Sequence, residues 1–270
     1  MGAMTETTRV HDWGNTAAYE AYIGRWSRLV AETFLLWLAL PSGRRWLDVG
    51  CGTGALTQTI LAIADPEEVL GVDPTAEFLG VAEAQIIDPR VHFVTGDARA
   101  LPVPGEAYDA VVAGLVLNFV LDPEAAVTEM ARAARSGGTV AAYVWDFAGE
   151  RQFQRYFWEA ATALDPAAIP LAQSMQFALC HAEPLAALLG SVGLQDVAVQ
   201  AIEVPAVFRD LDDYWQPYLA GGSSVAQRYA ASLGNVQREA LRERLQSILP
   251  MADDGSIRLL ARAWAVRGTK

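Results

Sequence analysis

The segment Trp46-Leu47-Asp48-Val49-Gly50-Cys51-Gly52-Thr53-Gly54 runs an apolar stretch into three glycines, each separated by one residue, and then into Ala55-Leu56, where a helical pattern opens. Such a turn brings backbone close to a ligand, because no Cβ stands in the way. Two more acids close later apolar runs: Asp73 follows Gly71-Val72, and Asp97 follows Thr95-Gly96. A carboxylate with two acceptor oxygens suits a vicinal diol or an amine. These residue types hold a ligand rich in hydroxyl and amino groups.

Three ligands compete for the turn: a nucleoside triphosphate, a dinucleotide and S-adenosylmethionine. The first needs Gly-Lys-Ser/Thr at the end of the loop, whereas Gly54 is followed by Ala55-Leu56. The second is met in spacing by Gly50, Gly52 and Ala55, with Asp73 placed to reach a ribose hydroxyl. Asp48, two positions before the first glycine, argues the other way together with Asp97. A carboxylate at the mouth of the turn repels a pyrophosphate and attracts the amino group of a methionine moiety. Charge favours a cationic cofactor, and a nicotinamide-dependent oxidoreductase stays open on the glycine spacing.

Elements that position these residues follow from periodicity. Between 17 and 40 the apolar residues, among them Trp26, Val30, Phe34 and Leu38, recur at spacings of three and four, an amphipathic helical pattern that Gly24 divides in two. Short apolar runs at 45–49, 69–73, 91–95, 107–113 and 139–146 then alternate with helical stretches at 55–64, 76–85 and 124–135. The last of these is expected to stop at Gly137-Gly138. Beyond 147, aromatic-rich helical segments at 151–164 and 211–249 flank a helix at 184–189 and a strand near 197–202. A closing strand at 257–266 follows Asp254-Gly255.

Taken together, Leu47 to Gly54, Gly71-Val72-Asp73, Thr95-Gly96-Asp97-Ala98 with Leu101-Pro102, and Tyr108-Asp109-Ala110-Val111-Val112 resemble the class I S-adenosylmethionine-dependent methyltransferases, in the small-molecule type 11, UbiE-like group. The resemblance implies a Rossmann-like, doubly wound α/β sheet of seven strands in the order 3-2-1-4-5-7-6, the last antiparallel, with a helical insertion forming a lid. It implies one methyltransferase domain over 1–270, with capping helices in 1–40, the cofactor core in 41–147, and the remaining strands and lid helices in 148–270. By the same resemblance Asp48 holds the methionine amino group, and Gly50, Cys51 and Gly52 line the cofactor with backbone. Asp73 accepts both ribose hydroxyls and Pro74 and Phe78 flank the adenine. Asp97 accepts from the exocyclic amine, and the Ala98 amide reaches a ring nitrogen. Around Gly24 the chain resembles a segment that closes over the cofactor, in which Arg25 pairs with the cofactor carboxylate and Tyr22 or Trp26 covers the methionine. The same aromatics would equally serve as the buried face of a docking helix.

Composition narrows the partners. The 270 residues carry 20 Lys plus Arg against 32 Asp plus Glu, a net charge of -12 that repels phosphate backbones, so nucleic acid is not an expected partner. The longest apolar runs, 34–40 and 110–120, fall short of the roughly 18 to 20 residues that cross a bilayer. Only two cysteines occur, Cys51 and Cys180; with no leader pattern at the start, they point to the cytoplasm and to no thiolate metal site.

Methyl transfer from a sulfonium starts from an activated electrophile, so the protein mainly aligns and excludes water. An acceptor hydroxyl of high pKa needs a base. Of the three histidines, His92 lies in a strand and His11 in the terminal segment, which leaves His181 as the candidate. The run Ala113-Gly114-Leu115-Val116-Leu117-Asn118-Phe119 lacks the Asn/Asp-Pro-Pro-aromatic pattern of enzymes that act on amide or adenine nitrogen, and Asn118 stands where many relatives carry histidine. Phe153, Tyr156, Phe157, Trp158, Met175, Phe177, Tyr214, Trp215 and Tyr218 suit an apolar lid over a small hydrophobic or aromatic acceptor, methylated on O, C or N. A cofactor-binding protein without transferase activity is the remaining alternative.

Overall fold

A computed structural model describes residues 24–147, 149–174, 177–222 and 224–270. Tyr22, His11 and Met175 lie outside the described residues. The chain divides into two compact units, one built of Arg25–Arg155, Gln173–Ala206 and Leu259–Lys270, the other, in its described part, of Tyr156–Ala172 and Val207–Arg258.

In the first unit, α1 (Arg25–Leu38) precedes β1 (Arg45–Val49), α2 (Ala55–Ile63), β2 (Glu68–Asp73), α3 (Ala76–Gln85), β3 (Val91–Thr95), β4 (Tyr108–Gly114), α4 (Pro123–Ala133) and β5 (Ala134–Trp145). The strands join β6 (Gln195–Phe208) and β7 (Ile257–Thr269) in one seven-stranded sheet ordered β3-β2-β1-β4-β5-β7-β6. β1 pairs in parallel with β2 and β4, and β7 runs antiparallel to β5, with Ala142 opposite Val266. This is the expected doubly wound order.

Alternation along the strands divides the core. Leu47 and Val49 of β1 pack with Val111, Val140 and Ala142, against Val127 and Met130 of α4 and Leu185 of α7 (Ala182–Ser191). Trp46 and Asp48 therefore point to the opposite face. A central parallel strand is buried on both faces and reads as an apolar run. Asp48, with no solvent exposure, is the fully buried charged residue of β1.

The helix expected at 124–135 ends at Ala133, and Gly137-Gly138 lie within β5 rather than beyond a helix stop. Gly137 donates to the Lys270 carbonyl and Lys270 donates to Gly138, so pairing with the distant end of β7 overrides the local glycine signal. At its start, α4 has the expected chemistry: Asp122 accepts from Ala125 N at 3.0 Å and Pro123 occupies the first turn.

In the second unit the stretch expected as helical over 211–249 forms three helices, α8 (Leu211–Leu219), α9 (Val225–Ser232) and α10 (Asn235–Ile248), numbered after α5 (Gln152–Leu164), α6 (Ile169–Gln173) and α7. The breaks fall at Gly221-Gly222 and Gly234, and Ser224 with Gln227 forms a capping box that starts α9. Phe157 stacks on Tyr218 with centroids 4.3 Å apart, and Tyr229 Oη donates to Asp165 at 3.2 Å. These aromatics are core. Among the described residues no helix is long and apolar enough to cross a membrane.

Candidate cofactor site

Where β1 ends, the chain turns back on β2. Gly50 and Cys51 both donate to the Val72 carbonyl, at 2.7 and 3.1 Å, and Gly54 donates to Cys51 at 2.9 Å. Gly52 N donates to Oδ2 of Asp73 at 2.9 Å, while Oδ1 of Asp73 accepts from Thr75 N at 2.9 Å. Gly50 and Gly52 are fixed by contact and conformation. A Cβ on Gly50 would stand 2.5 Å from Val116, so the turn after β4 lies directly against the glycine turn. Gly52 has φ +54°, and a Cβ there would meet nothing within 4 Å. That open flank is where a ligand can approach backbone.

Electrostatics set what kind of ligand. Thr57 in the first turn of α2 donates its hydroxyl to Oδ2 of Asp48 at 2.7 Å, and Oδ1 is buried with no partner. Burial pushes the Asp48 carboxyl up to about 7, and the neighbouring Asp73 charge adds to the rise while Thr57 opposes it. Burial, with the Asp48 and Asp73 charges behind it, also pushes the Cys51 thiol up, so Cys51 is a neutral wall of the turn. A buried, half-satisfied carboxylate is costly until a donor, best a cationic one, reaches its second oxygen. An ammonium group meets that need. A pyrophosphate does not, because the amides of Gly50, Cys51, Gly52 and Gly54 are all committed within the protein and two carboxylates flank the turn.

Asp73, at the end of β2, is 7% exposed and fixed by Gly52 and Thr75, which leaves further lone pairs for a diol. Pro74 is exposed and Phe78 half-buried where α3 begins, next to Asp73 in the chain. Asp97 is engaged by its own loop: Arg99 donates from Nη2 at 2.6 Å and from Nε and the backbone, and this holds the Asp97 carboxyl below its usual range. Ala98 beside it is half-buried.

On α1, Trp26 is buried and the Arg25 guanidinium lies 4.4 Å over its ring. Asp109 is structural: it accepts from Arg45 N at 2.9 Å and pairs with Arg44 and Arg135 at 3.2 and 2.6 Å. His181 is exposed, the N-cap of α7, and its side chain makes no capping hydrogen bond. The structure thus brings Asp48, Gly50, Cys51, Gly52 and Asp73 into one network at the ends of β1 and β2. Thr57 was not singled out from sequence, although a hydroxyl nine residues after Asp48, in the first turn of the following helix, is a readable signal. Leu115, with φ +62°, and Asn118, whose amide nitrogen and oxygen are both buried without a partner, also belong to this end of the sheet.

Residues 47–142 match the family described as Methyltransferase domain. The demethylmenaquinone methyltransferase of Roseiflexus castenholzii is 42% identical over 103 residues, covering 38% of this chain and 43% of that protein. The 2-phytyl-1,4-naphtoquinone methyltransferase of Thermosynechococcus vestitus is 30% identical over 148 residues, 51% of this chain and 63% of that protein. The chain therefore spans less than half the length of the first curated relatives it matches. Haemonchus contortus phosphoethanolamine N-methyltransferase 2, solved with S-adenosyl-L-methionine, shares the fold with a TM-score of 0.58 at 18% identity, over 94% of this chain and 56% of that one. Over residues 47–142 this chain matches the methyltransferase domain family and is similar to the demethylmenaquinone methyltransferases, and its strand order is the one that resemblance implies.

Proposed function

We propose that this protein transfers a methyl group from S-adenosylmethionine to O, C or N of a small hydrophobic or aromatic acceptor in the cytoplasm. The observation that carries the reading is the unpartnered Oδ1 of buried Asp48 beside a turn in which the amides of Gly50, Cys51, Gly52 and Gly54 are bonded within the protein. That site accepts a cation and offers little to a phosphate. Quinone methyltransferases among the relatives support an aromatic acceptor, and the buried, unpaired thiols of Cys51 and Cys180 suit a reducing compartment.

When bound, S-adenosylmethionine supplies a methyl group on a sulfonium that leaves as a neutral thioether. Asp48 pairs with the amino group, Asp73 accepts from the ribose hydroxyls, and Pro74, Phe78, Asp97 and Ala98 take the adenine. Arg25 and Trp26 serve the methionine end. The chain's contribution to rate is alignment and exclusion of water, with the acceptor's proton passing to solvent. Exposed His181 is then dispensable for cofactor binding.

The test is transfer of a labelled methyl group from S-adenosylmethionine to a panel of naphthols and hydroquinones. Labelled product with at least one member is expected. Tight cofactor binding with no transfer across the panel would favour the non-catalytic binding protein.

A further inference from the structure

Helix α2 opens on Gly54, which has no side chain to cap it. The first amides of a helix have no partner within it and must find one elsewhere. Here the acceptor comes from the neighbouring strand: the Thr57 hydroxyl donates to Oδ2 of Asp48 at 2.7 Å, and the Thr57 backbone amide pulls on the same carboxylate. Neither residue has any solvent exposure. One oxygen of Asp48 thus belongs to the start of α2, and the other, Oδ1, is buried without a partner.

Across the sheet Asp48 lies between Gly71 on β2 and Val112 on β4, neither of which offers a side-chain donor. Asp73 at the end of β2 repels its charge, and the Cys51 thiol of the turn is held neutral. Thr57 supplies the hydrogen bonds that oppose burial and Asp73. Pinning one carboxylate oxygen also fixes the plane of the group, and with it the direction in which the second oxygen accepts. A β-branched side chain on a helix has few rotamers, so the hold is stiff.

We infer that Thr57 is a positioning residue for the cofactor: by holding Oδ2 it presents Oδ1 of Asp48 to the amino group of S-adenosylmethionine, and so selects ligands that carry the amino acid over bare adenosine thioethers. This rests on the reading under Proposed function and names the part of the ligand that the site discriminates. Thr57 acts through Asp48, because its hydroxyl is committed there.

Calorimetric titration of the full chain with S-adenosylhomocysteine and with 5′-methylthioadenosine, which lacks the amino acid end, tests this between pH 6 and 8.5. Wild type is expected to prefer S-adenosylhomocysteine. Thr57→Val and Thr57→Ala remove the hydroxyl; at pH 7 each should bind S-adenosylhomocysteine about tenfold more weakly, one hydrogen bond to a charged group, with 5′-methylthioadenosine affinity within about twofold of wild type. The deficit should narrow as pH rises, because without the hydroxyl Asp48 ionises later and a higher pH restores its charge. The ligand's own amine titrates alike for wild type and variants and cancels from the comparison. Thr57→Ser keeps the hydroxyl and should bind as wild type does. A loss shared equally by both ligands, or one that is the same at every pH, would make Thr57 a packing residue and overturns the proposal, as do hydroxyl-free variants that bind S-adenosylhomocysteine as tightly as wild type. A wild type that binds the two ligands alike removes the Asp48 amine assignment beneath the proposal, and one that binds neither overturns the transferase reading itself.

Discussion

The Thr57 hydroxyl holds Oδ2 of Asp48 at 2.7 Å and leaves Oδ1 of the same buried carboxylate without a partner. The unliganded protein therefore keeps Asp48 protonated to about pH 7, while the unfolded chain releases that proton near pH 4. A raised folded-state value means stability that is complete below about pH 4 and lost as pH climbs through about 7. Melting temperatures of wild type and Asp48→Asn, measured without ligand from pH 4 to 8, should diverge in favour of the variant as pH rises. A constant gap would remove the assigned ionisation.

Cofactor binding should carry the opposite sign. A bound ammonium favours the charged carboxylate, so wild-type affinity for S-adenosylmethionine should fall as pH drops below about 7, and Asp48→Asn should lack that acid limb. Calorimetric titration at pH 6 and pH 7.5 reads both.

Asp73 serves the turn and the ligand at once. Asp73→Ala should weaken affinity for S-adenosylhomocysteine by about 1.5 to 3 kcal/mol, the usual cost of losing hydrogen bonds to a charged acceptor. The melting temperature should also fall, because the amides of Gly52 and Thr75 lose their acceptor.

Asp97 and Arg99 separate by substitution. If Asp97 accepts from the adenine amine, Asp97→Ala should weaken S-adenosylhomocysteine binding several-fold. Arg99→Ala should leave it equal or tighter, because the guanidinium competes for the same carboxylate oxygens. Equal losses in both variants would make the pair a structural clamp of the loop.

Close approach is required at Gly114, where a Cβ would stand 2.6 Å from Tyr143 Oη. Gly114→Ala should cost about 1 to 3 kcal/mol in chemical denaturation, as overpacking does. Adding Tyr143→Phe should recover part of it, a coupling that a double-mutant cycle measures.

Local pattern carried most of the first unit. Strands 45–49 and 91–95 and the helix at 76–85 fall where period and turn residues put them, because each lies between glycine or proline punctuation. Gly137-Gly138 misled because their partner, Lys270, is far away in sequence, and 211–249 misled because its apolar period continues through the glycines that break it. In the site, Asp48 and Asp73 were legible from the charge they place beside a glycine turn. The unmet amide of Asn118 was not, since burial without a partner is a property of packing and leaves no trace in residue type. The grip of Arg99 on Asp97 was visible as a spacing of two residues but had no reason to be preferred over solvent.

The most direct test is parallel calorimetric titration of the purified protein with S-adenosylmethionine, S-adenosylhomocysteine and NADH. The arrangement of Asp48, Asp73 and the internally bonded turn predicts binding of the first two and none of the third. Binding of NADH alone would contradict it, because a pyrophosphate would then have settled beside Asp48 and Asp73 at a turn whose four glycine and cysteine amides are already bonded within the protein.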